Sequence, residues 1–306
     1  MKLSRRGFLH IAGASAGAGL LARPGAAFAS EAVPGADERA MLVDTTLCKG
    51  CRACEAACSE ANGNPPPDRG EDVLDTNRKT SQTAFTVVNR GPNGPGGARR
   101  YAKTQCMHCV APGCASACSV KALQKQPEGP VTYDPSKCMG CRYCMVACPF
   151  GVPKYEYEAL APRVRKCTFC FDRQKAGKAP ACSSVCPTGA LTFGRRDDLL
   201  EEAKKRVYGQ PDRYERHVYG ELEAGGTNWL YLADVSFAKL GLPQNVEKQS
   251  YPDLVKGALG APPFVMTLWP PLLMGLYTFA HRREKVAKDG EHGAHGAHGK
   301  KEERHG

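Results

Sequence analysis

Apolar residues in this chain come in short bursts. Met41-Leu42-Val43-Asp44, Phe85-Thr86-Val87-Val88, Lys121-Ala122-Leu123-Gln124, Val131-Thr132-Tyr133-Asp134 and Ala190-Leu191-Thr192-Phe193 are each long enough for one short strand and too short for a helix. Residues 197–208 (DDLLEEAKKRVY) have the period of an amphipathic surface helix, with Lys204, Lys205 and Arg206 on its solvated face. Residues 61–100, with NGNPPPDRG and GPNGPGGARR, read as a loop insertion carrying one strand. Residues 209–258 read as an extension with little chemistry of its own. The pattern changes near both ends. IAGASAGAGLLA is weakly apolar throughout, and APPFVMTLWPPLLMGLYTFA (261–280) carries no charge over 20 residues. The latter is long enough to span a bilayer. The basic stretch from His281 to Lys285 follows it and predicts a cytoplasmic C-terminal side. Pro270-Pro271 predicts a kink in this helix, and a soluble docking helix is the alternative. The tail, with His292, His295, His298 and His305, reads as disordered over 281–306.

The first residues add an address. Ser4-Arg5-Arg6-Gly7-Phe8-Leu9 resembles a twin-arginine export signal, and Ala27-Phe28-Ala29 is a small-x-small cleavage site. Residues 1–29 are therefore expected to be a signal peptide. That route carries folded proteins, which suits a cofactor inserted before export.

All 16 cysteines fall into four groups of four. Cys48, Cys51, Cys54 and Cys58 are spaced x2, x2, x3. Cys106, Cys109, Cys114 and Cys118 are spaced x2, x4, x3. Cys138, Cys141, Cys144 and Cys148 repeat x2, x2, x3, with Pro149 next. Cys167, Cys170, Cys182 and Cys186 are spaced x2, x11, x3, with Pro187 next. Three chemistries compete for them. Disulfides fit an even count in an exported chain, yet three cysteines crowded into one loop cannot all pair cleanly. Zinc favours two C-x2-C pairs separated by a longer loop. The dense three-plus-one run is that of bacterial ferredoxins, in which one loop grips three irons of a [4Fe–4S] cube.

In a two-cluster ferredoxin the fourth cysteine of each run ligates the other cluster. Applied here, Cys138, Cys141 and Cys144 take Cys118 as their fourth ligand, and Cys106, Cys109 and Cys114 take Cys148. By the same exchange Cys48, Cys51 and Cys54 take Cys186, and Cys167, Cys170 and Cys182 take Cys58. The expected fold is α+β, with two nested ferredoxin-like units over 41–196. The inner unit covers 101–157, and the outer joins 41–60 to 160–195. An extension (197–260), the apolar helix and the tail complete the chain.

The net charge of +11 first suggests nucleic acid, but much of it has another origin. Without Lys2, Arg5, Arg6 and Arg23 of the signal, 38 basic and 31 acidic side chains remain, about +7. Sixteen thiolates on four cubane cores of charge +2 contribute about −8 and leave about −1. The basic excess thus reads as compensation for buried cluster charge, with no nucleic-acid partner. No P-loop, Rossmann glycine run or nucleophile–base pair is visible, so no catalytic residue is expected. His108, beside two cysteines, reads equally as a packed loop residue or as a hydrogen-bonding neighbour of a cluster.

QCMHC (105–109), CRYCMVACPFGVPKYEY (141–157), ACSSVCPTGALTFG (181–194), EAKKR (202–206) and YGELEAGGTNWLYL (219–232) complete the picture. Together with the cysteine groups they resemble the four-cluster electron-transfer subunits of the DMSO reductase, formate dehydrogenase and polysulfide reductase type. Within that family the chain resembles the hydrogenase-2 iron–sulfur branch. The resemblance implies a wire of four [4Fe–4S] clusters between a periplasmic catalytic subunit and a polytopic, quinone-reactive membrane subunit. The catalytic partner would be a nickel–iron hydrogenase or a molybdopterin enzyme. The wire would lie on the periplasmic face of the cytoplasmic membrane. Ser59 and Ser119 depart from the pattern, standing where proline often follows the last cysteine.

Overall fold

The computed structural model describes Gly35, residues 37–70 and residues 72–296. The expected signal peptide lies outside them, as do residues 297–306 of the tail. Contacts divide the chain into a unit ending at Leu254 and a second beginning at Val255, each considered by itself.

The first unit mixes helix and sheet. Its centre is β1 (Arg39–Asp44), paired antiparallel with β8 (Leu191–Arg195) and parallel with β9 (Trp229–Leu232). The apolar run Met41-Leu42-Val43 has no polar face because both sides of β1 are buried. Ala40 and Leu42 pack against Leu199, Ala203 and Val207 of α6 (Arg196–Gly209). Met41 and Val43 face the other way, onto Phe169, Trp229 and Tyr231. Asp44, at the end of β1, accepts hydrogen bonds from the Tyr214 hydroxyl (2.8 Å) and from Thr46 N–H (3.0 Å).

β9 corrects the reading of 209–258 as a mere extension. Trp229 and Tyr231 are fully buried and form part of the main core. The insertion also holds more than the one expected strand. β2 (Val87–Asn93) and β3 (Arg99–Thr104) form a hairpin, and the Pro- and Gly-rich run between them is its turn. Gly96 and Gly97 there have φ of 72° and 77°. Two smaller hairpins, β4 (Leu123–Lys125) with β5 (Val131–Tyr133) and β6 (Lys154–Tyr155) with β7 (Val164–Arg165), complete the sheets of the described residues. Of the charges assigned to the solvated face of α6, Lys204 pairs with Glu221 and Arg206 with Glu202.

The second unit consists of α7 (Tyr251–Gly296), whose first residues belong to the first unit. Its helix assignment runs through Pro262, Pro263, Pro270 and Pro271 without interruption, so the expected kink does not break it. Each proline removes one donor from the ladder. The Thr267 hydroxyl donates to the Pro263 carbonyl (2.8 Å), adding a bond beside them. The stretch Pro262–Lys288 is long and apolar enough to cross a membrane. The helix continues to Gly296, which corrects the expectation of disorder from 281 onward. Arg282, Arg283, Glu284, Lys285, Ala287 and Lys288 are good helix formers and carry it on.

Candidate electron-transfer site

Every cysteine group is built on one kind of turn. The residue before the second cysteine has positive φ in all four: Gly50 (69°), His108 (46°), Gly140 (74°) and Phe169 (55°). In the first and third groups the residue after it does too, at Arg52 (59°) and Arg142 (62°). A left-handed residue reverses the backbone locally and brings thiols three positions apart round to a common space. Glycine at 50 is also required by room, since an added Cβ would meet the Tyr101 ring at 2.6 Å.

Each third cysteine then opens a helical segment. Cys54 lies in α1 (Ala53–Ala61), Cys114 in α2 (Gly113–Ser116), Cys144 in α3 (Tyr143–Val146) and Cys182 in α5 (Ala181–Ser184). The short α4 (Phe171–Lys175) follows Cys170 inside the long x11 loop. Ser59 has a visible consequence. With no proline after Cys58, α1 runs on to Ala61, whereas the other three end before their last cysteine. Ser119 has none, because α2 has already stopped.

The fourth cysteines lie beside groups other than their own. Cys48, Cys51 and Cys54 line one cavity, and the fourth sulfur there is Cys186. Cys138, Cys141 and Cys144 line another, and the fourth sulfur is Cys118. Cys109 and Cys114 feel both Cys106 and Cys148 as electrostatic neighbours. Cys58 feels Cys182 and Cys170, and Cys167 feels Cys58. All sixteen are free of disulfides. Among the described residues no three His, Cys, Asp or Glu side chains converge as one metal ion requires. Two of the sulfur sets stand around a cavity, which suits a cluster with several metal corners.

The four sets also lie in series. Cys54 of the first neighbours Cys182 of the set holding Cys58. Cys167 of that set neighbours Cys106, and Cys114 beside Cys106 neighbours Cys144. The two exposed cysteines, Cys51 and Cys141, belong to the first and last sets of this series.

The electrostatics fit an anionic group that arrives with its own charge. Burial, reinforced by neighbouring thiols, pushes Cys54, Cys58 and Cys114 up to about 12 and Cys144 to about 11. A bound metal would have to displace those protons. Backbone N–H groups already point at sulfur, from Ala122 to Cys118 Sγ (3.2 Å) and from Phe169 to Cys167 Sγ (3.3 Å). Ammonium groups, wholly or largely buried, stand nearby. Lys166 Nζ donates to the Cys167 carbonyl (3.1 Å), and Lys125 Nζ to the Cys109 carbonyl (3.0 Å). Lys103 lines the cavity of Cys48 and Cys186.

His108 is fully buried. Its Nδ1 accepts from Val131 N–H (2.9 Å), which leaves the proton on Nε2. Burial first, and then Lys166, Lys125 and Lys103, hold its pKa well below the usual range, so the ring is neutral. Its geometry is that of a packed loop residue.

Comparison with known proteins gives the family. Residues 98–196 match a 4Fe-4S dicluster domain. A protein of Nitratidesulfovibrio vulgaris is 47% identical over 94% of this chain and 80% of its own length. The hydrogenase-2 operon protein HybA of Escherichia coli O157:H7 is 38% identical over 79% of this chain and 84% of its own length. The nitrate-inducible formate dehydrogenase iron–sulfur subunit of Escherichia coli K12 is 37% identical over 72% of this chain and 78% of its own length. The chain belongs to the HybA-like family of iron–sulfur electron-transfer subunits. Among the residues that give the subunit its site, sequence reasoning missed Lys103 and Tyr231. Both lie in strands it did not assign, and no motif marks a buried lysine.

Proposed function

We propose that the subunit holds four [4Fe–4S] clusters in two nested ferredoxin-like units and passes electrons along them one at a time. Cys48, Cys51, Cys54 and Cys186 hold the first, and Cys58, Cys167, Cys170 and Cys182 the second. Cys106, Cys109, Cys114 and Cys148 hold the third, and Cys118, Cys138, Cys141 and Cys144 the fourth. Each cluster supplies a one-electron couple that changes charge with little rearrangement. The protein's own part is to place the thiolates, exclude water from the two middle sets and leave the two ends reachable. The observation that carries this reading is the unbroken series of sulfur neighbours from the exposed Cys51 to the exposed Cys141.

One end would meet a catalytic subunit, which the likeness to HybA makes a nickel–iron hydrogenase. The likeness to formate dehydrogenase subunits favours a molybdopterin enzyme as the second reading. The other end would serve a quinone-reactive membrane subunit, with Pro262–Lys288 as this chain's own span. The twin-arginine start would place the body on the periplasmic face and the C-terminus in the cytoplasm.

Anaerobic iron and sulfide analysis tests the reading and should return about 16 irons per chain. Cys148→Ser should damage the Cys106 cluster and spare the other three in electron paramagnetic resonance. A lesion at the Cys138 cluster instead would overturn the crossed ligation. Partners retained through purification decide between hydrogenase and molybdopterin enzyme.

A further inference from the structure

Lys103 is a charge in an unusual place. It sits on β3, the second strand of the insertion hairpin, and its side chain is almost wholly buried. Nζ donates to Gln105 Oε1 (2.9 Å) and lies 4.3 Å from the Trp229 ring centroid. Gln105 Nε2 donates in turn to the Tyr231 hydroxyl (2.6 Å), which donates to the Lys103 carbonyl (2.9 Å). This closed ring of bonds fixes where the ammonium points.

Among the described residues Lys103 forms no ion pair with Asp or Glu, although Arg52, Arg78, Arg100 and Lys125 all do. An unpaired ammonium is costly to bury, so its counter-charge must come from elsewhere. Burial alone would lower its pKa. Its surroundings are cysteines: it lines the cavity of Cys48, Cys54 and Cys186, and Cys182, Cys167 and Cys58 are its other electrostatic neighbours. Those cysteines come from two sets, one holding Cys54 and the other holding Cys58, Cys167 and Cys182.

We infer that Lys103 is a positioning charge that raises the reduction potentials of the two clusters it lies between, relative to the other two. The inference rests on the four-cluster reading above. A cubane core of charge +2 with four thiolates carries −2. One electron from the neighbouring cluster takes it to −3, with no bond made or broken. A fixed positive charge beside it stabilises the reduced form more than the oxidised one. Lys103 is not among the groups acting on Cys144 of the set built on Cys138, so its effect falls on one side of the wire. Gln105, Trp229 and Tyr231 hold the charge in place.

The test is a redox titration of the anaerobically purified full chain, monitored by electron paramagnetic resonance. Lys103→Gln should keep its iron and move two midpoints to lower potential, namely those whose signals Cys186→Ser and Cys170→Ser alter. Lys103→Arg should keep all midpoints near the wild type. Gln105→Glu, which sets a carboxylate against an intact lysine, should move the same two midpoints down. Full iron with unchanged midpoints in Lys103→Gln, or an equal shift of all four, overturns the inference. If Lys103→Gln and Gln105→Glu both fail to load iron while Lys103→Arg loads it, the charge requirement stands. Failure of Lys103→Arg as well makes the site one of shape and overturns it. Absence of iron from the wild type would sink the four-cluster reading itself.

Discussion

His108 stacks on Phe169, with ring centroids 5.0 Å apart and planes inclined by 25°. The two residues are equivalents from different cysteine groups, each the left-handed residue before a second cysteine. In the other two groups that position is glycine, namely Gly50 and Gly140. In the second and fourth loops the strained position carries a ring; at Gly50 and Gly140 the rings of Tyr101 and Tyr155 leave no room for a side chain. Strain at a non-glycine left-handed residue costs about 1–3 kcal/mol, and here the rings' packing offsets it.

Phe169→Ala should therefore be severe. Phe169 also contacts the Trp229 ring (5.5 Å) and the Phe193 ring (6.0 Å). Removing a buried phenylalanine costs about 3–5 kcal/mol. At this size that lowers a scan-rate-matched thermal transition by roughly 10 °C. A shift of under about 2 °C would show that the stack is dispensable.

Glu55 ties the first cysteine helix to the insertion. Its carboxylate accepts from Arg52 Nη2 (2.9 Å), Arg78 Nη2 (2.7 Å) and Val88 N–H (2.5 Å). It is buried, and Arg52 nearly so. Glu55→Ala leaves a buried guanidinium without its counter-charge and a strand N–H without a partner, at about 3–5 kcal/mol. Limited proteolysis should then cut residues 62–86 much faster than in the wild type. Equal cleavage rates would mean the hairpin is held by its apolar contacts alone.

The sequence reveals the site better than the body around it. Cysteine spacing names the ligand candidates because a cubane constrains its loop sharply, and the short runs at Met41, Val131 and Leu191 are strands where expected. β9 was not visible because Trp229-Leu230-Tyr231-Leu232 is apolar throughout and has no period to separate strand from helix. Its parallel pairing with β1 spans nearly 190 residues and leaves no local trace. β3 was hidden for the opposite reason. Arg99-Arg100-Tyr101-Ala102-Lys103-Thr104 looks like a polar loop, and only the fold shows that Lys103 turns inward. The extent of α7 was misjudged because prolines and histidines outweighed the intervening helix formers.

His217 and Glu223 make a pH-dependent clasp in the segment before β9. Nε2 of His217 lies 2.6 Å from the Glu223 carboxylate. That bond, more than the opposing effect of burial, raises the histidine above its usual value. Burial would raise Glu223, but His217 and the N–H groups of Gly220 and Glu223 bring it below the usual carboxylate range. The histidine's contribution is complete below about pH 6.5 and fades as pH rises through its higher folded value. The carboxylate's contribution is complete above its ordinary value and fades as pH falls through the lower folded one. His217 is nearly half exposed, so the pair is worth at most about 1 kcal/mol. In an NMR titration, Glu223→Gln should return His217 towards 6.5, and an unmoved histidine would show that the bond does not form in solution.

The apolar helix separates a membrane protein from a soluble one in a way that fractionation can read. Phe264, Leu268, Trp269, Leu272, Leu276 and Phe279 are all more than half exposed along α7. A water-soluble monomer rarely leaves so long an apolar surface uncovered. Lipid would cover it, and a helix satisfies its own backbone there except opposite the prolines. The full chain should therefore sediment with membranes, resist high-salt washing and come off in detergent. A variant ending at Ser250 keeps β9 and the core around Trp229 and should stay in the soluble fraction with its visible colour intact. Release of the full chain by salt alone would assign the helix to docking on a protein partner, and the bilayer reading would fall.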